Sequence, residues 1–360
     1  MRRAAFLVVM LAFLAPLGAQ RAAVSNKPDT PFKLATFEAA GKTRLGLVVG
    51  SRVLDIAGAN AELTQKAGVA AVRIPGEMRE LIEQYARVSP RLYQIANYFK
   101  DAGAAAPFVF DLDKVAIKAP IKYPYNLLAA AANYKLHAGE MFAPGSPQQQ
   151  AALEADQDKV DPVFFAKSPR SCIIDPNEPY TMPPGRNIDW EGELAIIIGK
   201  PAFNVTEAQA HDHVFGYSVM YDLSDRGGTG RKPLTGMFGG PNWFAGKSGD
   251  KCAPFGPLIV PKEFAPNPPH FHIVTKVNGV VKQDGNTANW IWDEAHMIRY
   301  LTSILTLYPG DVISSGTPDG VGAGRKPPEF LKPGDVVTIE IDGIGLLRTP
   351  MRARTAPATP

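Results

Sequence analysis

The stretch Asp189-Trp190-Glu191-Gly192-Glu193-Leu194-Ala195-Ile196-Ile197-Ile198-Gly199 sets two glutamates two residues apart at the mouth of an almost unbroken apolar run. Such a run bounded by glycine predicts a buried strand, and charge is not expected at the entrance to one. Side chains alternate faces along a strand, so Glu191 and Glu193 project the same way and can converge on one cation. Two unpaired carboxylates held that close repel each other, and a hard divalent metal relieves the repulsion. The competing reading is a solvent-facing strand end carrying two surface glutamates.

Working outward, further strands are predicted at Val214 to Tyr221, Phe271 to Val277, Asp311 to Ser315 and Val336 to Ile341, punctuated by Pro and Gly. One clear helix, Trp292 to Leu307, carries Met297, Ile298, Leu301, Ile304 and Leu305 at helical spacing, so one face packs on a sheet. Upstream, Phe32 to Phe37, Arg44 to Val49 and Arg52 to Ile56 read as three short strands, followed by a helical pattern over 77–100 that Pro90 divides into two pieces. Strands without regular βα alternation exclude a doubly wound sheet and imply a strand-dominated α+β class. The expected organisation is a small N-terminal β-rich domain over 31–118 and a catalytic domain over 119–352.

The 360 residues are 45% hydrophobic and 20% charged, ordinary globular composition. Thirty-eight basic and 35 acidic residues leave a net charge of +3, with no basic run of the kind that binds nucleic acid, so a small molecule is the expected partner. Met1-Arg2-Arg3, the apolar stretch Ala4 to Leu17 and the small pair Gly18-Ala19 read as a signal peptide over 1–19, cut after Ala19. The apolar run is shorter than a spanning helix needs and contains Pro16, so no membrane contact is expected after cleavage. Export implies an oxidising compartment, a bacterial periplasm or the exterior. Residues 20–30 and 353–360 read as a flexible leader and tail. Cys172 and Cys252 are the only cysteines, too few for a disulfide framework, and whether they pair is left open by the sequence.

Several other positions carry chemistry. Asp222 ends the strand Phe215 to Tyr221 and matches a third ligand supplied by a neighbouring strand. Three carboxylates favour Mg²⁺, Mn²⁺ or Ca²⁺ over zinc. His137 and Glu140 stand three apart and share a face on a helical turn, where a carboxylate beside imidazole raises its basicity, as a water-activating base requires. Lys167 and Lys247 sit in apolar or Gly-rich company and can meet an anionic substrate, although a lone lysine there more often snorkels. Arg226 and Arg231 frame a loop containing Gly227, Gly228 and Gly230, and Ser314-Ser315-Gly316-Thr317-Pro318 offers hydroxyls and backbone N–H groups to a carboxylate. No phosphate-binding loop, dinucleotide fingerprint or nucleophile elbow occurs.

Taken in order, these motifs resemble the fumarylacetoacetate hydrolase superfamily over roughly residues 32–352, in its acylpyruvase-like and 2-hydroxyhepta-2,4-diene-1,7-dioate isomerase-like branch. The resemblance rests on Asn133-Tyr134 with His137 and Glu140, Phe164 to Lys167, Asp189 to Glu193, Gly216-Tyr217 through Asp222, Gly246-Lys247-Ser248, Asn278-Gly279 with Gln283 to Asn286, Pro309 to Val312 and Gly316-Thr317-Pro318. It implies a mixed β-roll, a homodimer and a Mg²⁺ or similar ion on Glu191, Glu193 and Asp222. It implies also a water-activating dyad of His137 and Glu140. Lys167, Lys247 and Thr317 would hold the oxoacid end or stabilise negative charge, with Tyr134 and Gln283 as weaker substrate contacts.

The reaction so implied is hydrolysis of a C–C bond in a β-diketo acid such as an acylpyruvate, the metal stabilising the enolate that forms. Alternatives on the same site are oxoacid decarboxylation, enol–keto or double-bond isomerisation, dienoate hydration and ureidoglycolate-type lyase action. An exported oxoacid-binding protein is the reading from another class. Two departures from the family pattern stand out. Leu223-Ser224-Asp225-Arg226-Gly227-Gly228 replaces the usual run after the aspartate, keeping Arg226 in altered surroundings, and the long stretch 143–161 is expected to be either a lid or a disordered insertion.

Overall fold

A computed structural model describes residues 24–103, 106–228 and 242–354. The expected signal segment 1–19, Gly230, Arg231 and the last residues of the tail lie outside them. The apolar run that opened the reading is the strand Gly192–Ile198, buried along its whole length. It is antiparallel to Val214–Tyr221 on one side and to Val312–Ser314 on the other. The largest sheet continues outward from this trio. On one flank Ala253–Pro261 pairs with Val214–Tyr221, and Lys33–Ala39 follows through Leu34↔Ile259. On the other flank Leu127–Ala131 runs parallel to Val312–Ser314 and pairs with Val163–Ala166.

A second sheet, in the order Val280–Asn286, His272–Val277, Val336–Ile341, Gly345–Ala353 and Tyr180–Met182, packs across the first. The contact is close at Gly192, where an added Cβ would lie 2.2 Å from Thr275 Oγ1 and 3.0 Å from Ile339 Cγ2. Only glycine fits there, and by alternation Gly192, Leu194 and Ile196 face the second sheet while Glu193 and Ala195 face the other way. The strand is therefore buried on both faces, which is why its apolar run is continuous instead of alternating. Antiparallel and parallel pairs occur in both sheets, the mixed strand-rich α+β architecture expected.

The three N-terminal strands form as Lys33–Ala39, Lys42–Val49 and Arg52–Asp55, and they extend the large sheet instead of making one of their own. The helical pattern that follows divides at Gln84, between Met78–Glu83 and Tyr85–Phe99, and not at Pro90. Pro90 lies inside the second helix, whose inner face of Val88, Arg91, Leu92, Ile95, Ala96 and Phe99 is buried. That packing outweighs the loss of one backbone donor. The helix expected over Trp292 to Leu307 spans Glu294–Ile304, started by the Asp293 side chain accepting from His296 N. Its buried face holds Met297, Ile298 and Leu301, whereas Ile304 is exposed because the helix ends there and Leu305 turns extended.

Candidate active site

Glu193 and Met220 are cross-strand partners, and Asp222 N donates to Glu191 O at 3.0 Å. Cross-strand partners share a face, so this register brings Glu191, Glu193 and Asp222 to one side of the sheet. One carboxylate oxygen from each lies within 4.8 Å of the others, and all three residues are buried. Among the described residues this is the one such gathering of possible metal ligands. An all-oxygen donor set of three carboxylates fits a hard divalent cation and not zinc.

Three cations answer these carboxylates. Lys247 Nζ lies 2.8 Å from Glu191 Oε2 and 2.5 Å from Asp222 Oδ2, and Lys167 Nζ is 2.5 Å from Asp222 Oδ1. Arg226 bridges Asp189 and Glu191, its Nε 3.0 Å from Asp189 Oδ2 and its outer nitrogen on Glu191 Oε1. Burial alone would drive the Glu191 carboxyl up, but the Lys247, Arg226 and His137 charges together hold it well below the usual carboxylate range. Glu193 has no such cation in contact. Burial first, then the Asp222 and Glu191 charges, push its carboxyl well above that range. Its Oε2 accepts from Ser314 Oγ and, at 3.0 Å, from Gly316 N. Burial opposes the Lys167 charge, yet Asp222 more than offsets it and holds the ammonium above its ordinary range.

His137 and Glu140 lie on the short helix Lys135–Glu140 and are hydrogen-bonded, Nδ1 to Oε1, at 2.7 Å. Glu140 Oε2 also accepts from Gly320 N at 2.9 Å. The loop passes so close that a Cβ at Gly324 would lie 2.7 Å from Glu140 Cδ. The dyad is thus clamped from behind. Its imidazole is near enough to Glu191 to help depress that carboxyl, which places it beside the acidic cluster, a neighbourhood that the three-residue spacing alone did not predict.

Of the remaining expected site residues, Tyr134 is buried against Glu193. Its hydroxyl makes no close hydrogen bond, and burial first, then the Glu193 charge, raises its pKa against a weaker opposing hydrogen bond from Trp290. Gln283 and Thr317 are placed differently from substrate contacts. Gln283 Oε1 accepts from Gly192 N at 3.0 Å, while its Nε2 donates to Thr317 Oγ1 and Pro318 O, both at 2.7 Å. Thr317 Oγ1 donates to Gly192 O at 3.0 Å. Together they grip both polar groups of the glycine between the two glutamates, and both side chains are spent on the protein.

Two residues escaped assignment in the sequence. Asp189 is fully buried and accepts from Trp190 N, Gly322 N and Ala323 N as well as Arg226, so it ties the loop behind the dyad to the acidic strand. Asn133, also fully buried, donates to Trp292 O at 3.0 Å and Ser315 O at 2.9 Å and accepts from Trp292 N at 2.8 Å. The available signal is the polar residue that stands inside each motif, Asp189 before the glutamates and Asn133 before Tyr134. The stretch 143–161 contains the helix Pro147–Leu153, N-capped by Ser146, whose Leu153 meets Gly139 on the dyad helix.

The sequence profile of the fumarylacetoacetate (FAA) hydrolase C-terminal family matches residues 126–352, which hold every residue of this site. The chain belongs to that family. It is 33% identical over 323 residues to the oxaloacetate tautomerase YisK of Bacillus subtilis, covering 88% of this chain and 98% of that protein. It is 32% identical to the mitochondrial oxaloacetate tautomerase fahd2 of Xenopus laevis, covering 91% of this chain and 92% of the relative. Among solved structures, maleylpyruvate hydrolase from Sphingobium sp. SYK-6 in complex with manganese (II) ion and pyruvate matches with TM-score 0.63 and 26% identity, over 90% of this chain and all of that one. Members of this family act on acylpyruvate-like or oxaloacetate-like substrates as hydrolases, isomerases or tautomerases.

Proposed function

We propose that this enzyme interconverts the keto and enol forms of a 2-oxo dicarboxylate of the oxaloacetate class at a divalent-cation site formed by Glu191, Glu193 and Asp222. This reverses the order of expectation drawn from the sequence, where C–C hydrolysis stood first and enol–keto isomerisation was an alternative. The observation that carries it is the His137–Glu140 pair, its imidazole buried, beside the carboxylate cluster, in a chain similar over nearly its whole length to two oxaloacetate tautomerases. Tautomerisation asks for a single acid–base group: one proton leaves C3 and one is gained by the oxygen on C2, with no bond to carbon broken other than C–H.

Each residue then has a task. Glu140 fixes the tautomer and orientation of His137 through Nδ1, leaving Nε2 to carry the proton. Gly320 N holds Glu140 in turn. Lys247 and Lys167 keep positive charge against the cluster, offsetting the negative charge that an anionic substrate adds. Gln283 and Thr317 fix the backbone between Glu191 and Glu193. Glu191, Glu193 and Asp222 would hold a cation such as Mg²⁺ or Mn²⁺, which would supply a Lewis acid to the substrate.

A second reading, hydrolysis of an acylpyruvate, is favoured by the same dyad, which can take a proton from water as well as from carbon, and by the likeness to maleylpyruvate hydrolase. One experiment separates the two. Metal-loaded protein is given enolic oxaloacetate, with loss of enol absorbance followed against the spontaneous rate, and in parallel an acylpyruvate panel with pyruvate assayed. Metal-dependent acceleration of the first without pyruvate from the second supports the tautomerase; the reverse pattern overturns it in favour of the hydrolase.

A further inference from the structure

The two lysines on Asp222 lie in segments that share a spacing: Lys167-Ser168-Pro169-Arg170-Ser171-Cys172 and Lys247-Ser248-Gly249-Asp250-Lys251-Cys252. The segments run side by side. Ser248 Oγ donates to Ala166 O at 3.0 Å, Lys251 N donates to Ser171 O at 2.8 Å, and directly after the cysteines the chain enters parallel pairing at Ala253↔Ile173 and Pro254↔Ile174. The thiols meet at the end of this ladder, Sγ to Sγ 3.3 Å, both fully buried. Cys252 Sγ also donates to Lys247 O at 3.0 Å and Cys172 Sγ to Gly249 O at 3.4 Å, and neither sulfur bonds a side chain of the acidic cluster or the dyad.

We infer that Cys172 and Cys252 are a disulfide site, a two-electron staple joining the segments that carry Lys167 and Lys247 beneath Asp222. The geometry accommodates the bond. The residues that follow the cysteines, Ile173 and Ala253, are parallel-strand partners, and such positions lie about 4.8 Å apart, within the roughly 4.4–6.8 Å that a disulfide spans between Cα atoms. Closing the sulfurs from 3.3 Å to bonding distance takes about 1.2 Å of combined movement. Side-chain rotation supplies that while the backbone bonds on either side hold the segments where they are.

Because both sulfurs are buried, the fitting oxidant is small, and hydrogen peroxide is the class we name. The Cys252 thiolate attacks a peroxide oxygen, breaking the O–O bond and releasing one water after protonation, to give a sulfenic acid. The Cys172 sulfur then attacks the Cys252 sulfur and expels a second water. Two thiols and one peroxide thus yield one disulfide and two waters. Hydrogen bonding with Cys172, then the nearby Lys167 charge, brings the Cys252 thiol down to about 7 against the upward push of burial, which makes it the attacking sulfur.

The test uses the intact, folded protein. After brief treatment with a slight excess of hydrogen peroxide it is denatured, alkylated and digested without reductant. The expected result is a cross-linked peptide pair containing Cys172 and Cys252, an intact mass two hydrogen atoms lower, and reversal of both by dithiothreitol. The bridge closes a loop across a sequence separation of 80, so the apparent Tm of the oxidised form should rise by roughly 3–6 °C. Cys252→Ser should abolish both the cross-link and the shift. Thiols that remain fully alkylatable, a Cys252 that gains oxygens without cross-linking, or a linked form that melts no higher than the reduced one would each overturn the inference. None of these readouts depends on the substrate or reaction proposed above.

Discussion

Replacing Gln283 with leucine distinguishes a residue that touches substrate from one that holds the site together. The side chain is 1% exposed, and its amide makes three hydrogen bonds within 3.0 Å. Leucine fills a similar volume but strands Gly192 N–H and removes a donor from Pro318 O, while Thr317 keeps its bond to Gly192 O. A buried polar group left without a partner costs about 1–3 kcal/mol, and a carbonyl that has lost one of two possible partners sits at the low end, so the sum is about 2–4 kcal/mol. In a chain of this size that lowers Tm by about 3–6 °C. Gly192 lies between Glu191 and Glu193, so loosening it should also weaken Mn²⁺ binding, read by calorimetry. The reasoning fails if Q283L melts and binds Mn²⁺ like the parent and only KM rises, the pattern of a lost substrate contact.

Further outcomes follow from the same geometry. His137→Ala should cut turnover by about 10²–10⁴ while leaving Mn²⁺ affinity within twofold, because His137 is no ligand; a parallel loss of metal, read by titration, would contradict the division of roles. Glu193→Gln should weaken Mn²⁺ binding by at least roughly tenfold, and chelation of the parent should abolish turnover that added Mn²⁺ or Mg²⁺ restores. Tyr134→Phe should lower kcat/KM about 10–100-fold on either substrate class; unchanged kinetics would refute a contact between its hydroxyl and bound substrate. His272, hydrogen-bonded to Asp284 at 2.6 Å with Asp342 at 3.4 Å, has a raised pKa, owed first to the Asp284 bond. Its support is fully present below about pH 6.5 and is lost as pH rises through the raised folded value. His272→Gln should therefore lower Tm at about pH 5.5 and not at about pH 8.5, measured by scanning fluorimetry.

Glu191, Glu193, Asp222 and the His137–Glu140 pair were legible because each announces itself locally. Carboxylates at the ends of apolar strands and a histidine one helical turn from a glutamate need only the periodicities of strand and helix to be placed on common faces. The strands were legible for the same reason. What was not legible depends on chains distant in sequence. Gln283 reads as a polar residue near a turn, and nothing local says that its amide is taken by Gly192 and Pro318. Asp189 precedes the glutamates by two residues, but its partners Gly322 and Ala323 lie more than 130 positions away. Pro90 predicts a helix break from local chemistry, and the apolar face beneath it decides otherwise. The two cysteines show no relation until the parallel pairing of Ile173 with Ala253 is known.

The hydroxyl of Tyr134 bears on substrate binding. It is buried beside Glu193, and the indole N–H of Trp290, whose backbone bridges that of Tyr134, lies next to it; a loose hydrogen bond from the indole opposes the upward push of burial and of the Glu193 charge on the phenol. Neither group makes a close bond to the protein, and burying a donor with nothing to accept from it costs about 1–3 kcal/mol. A ligand that brings an acceptor to the phenol O–H recovers that cost. Because Glu193 belongs to the cation site, this donor stands at the 2-oxo acid end that both substrate classes share. Tyr134 therefore bears on binding of either class and does not choose between them.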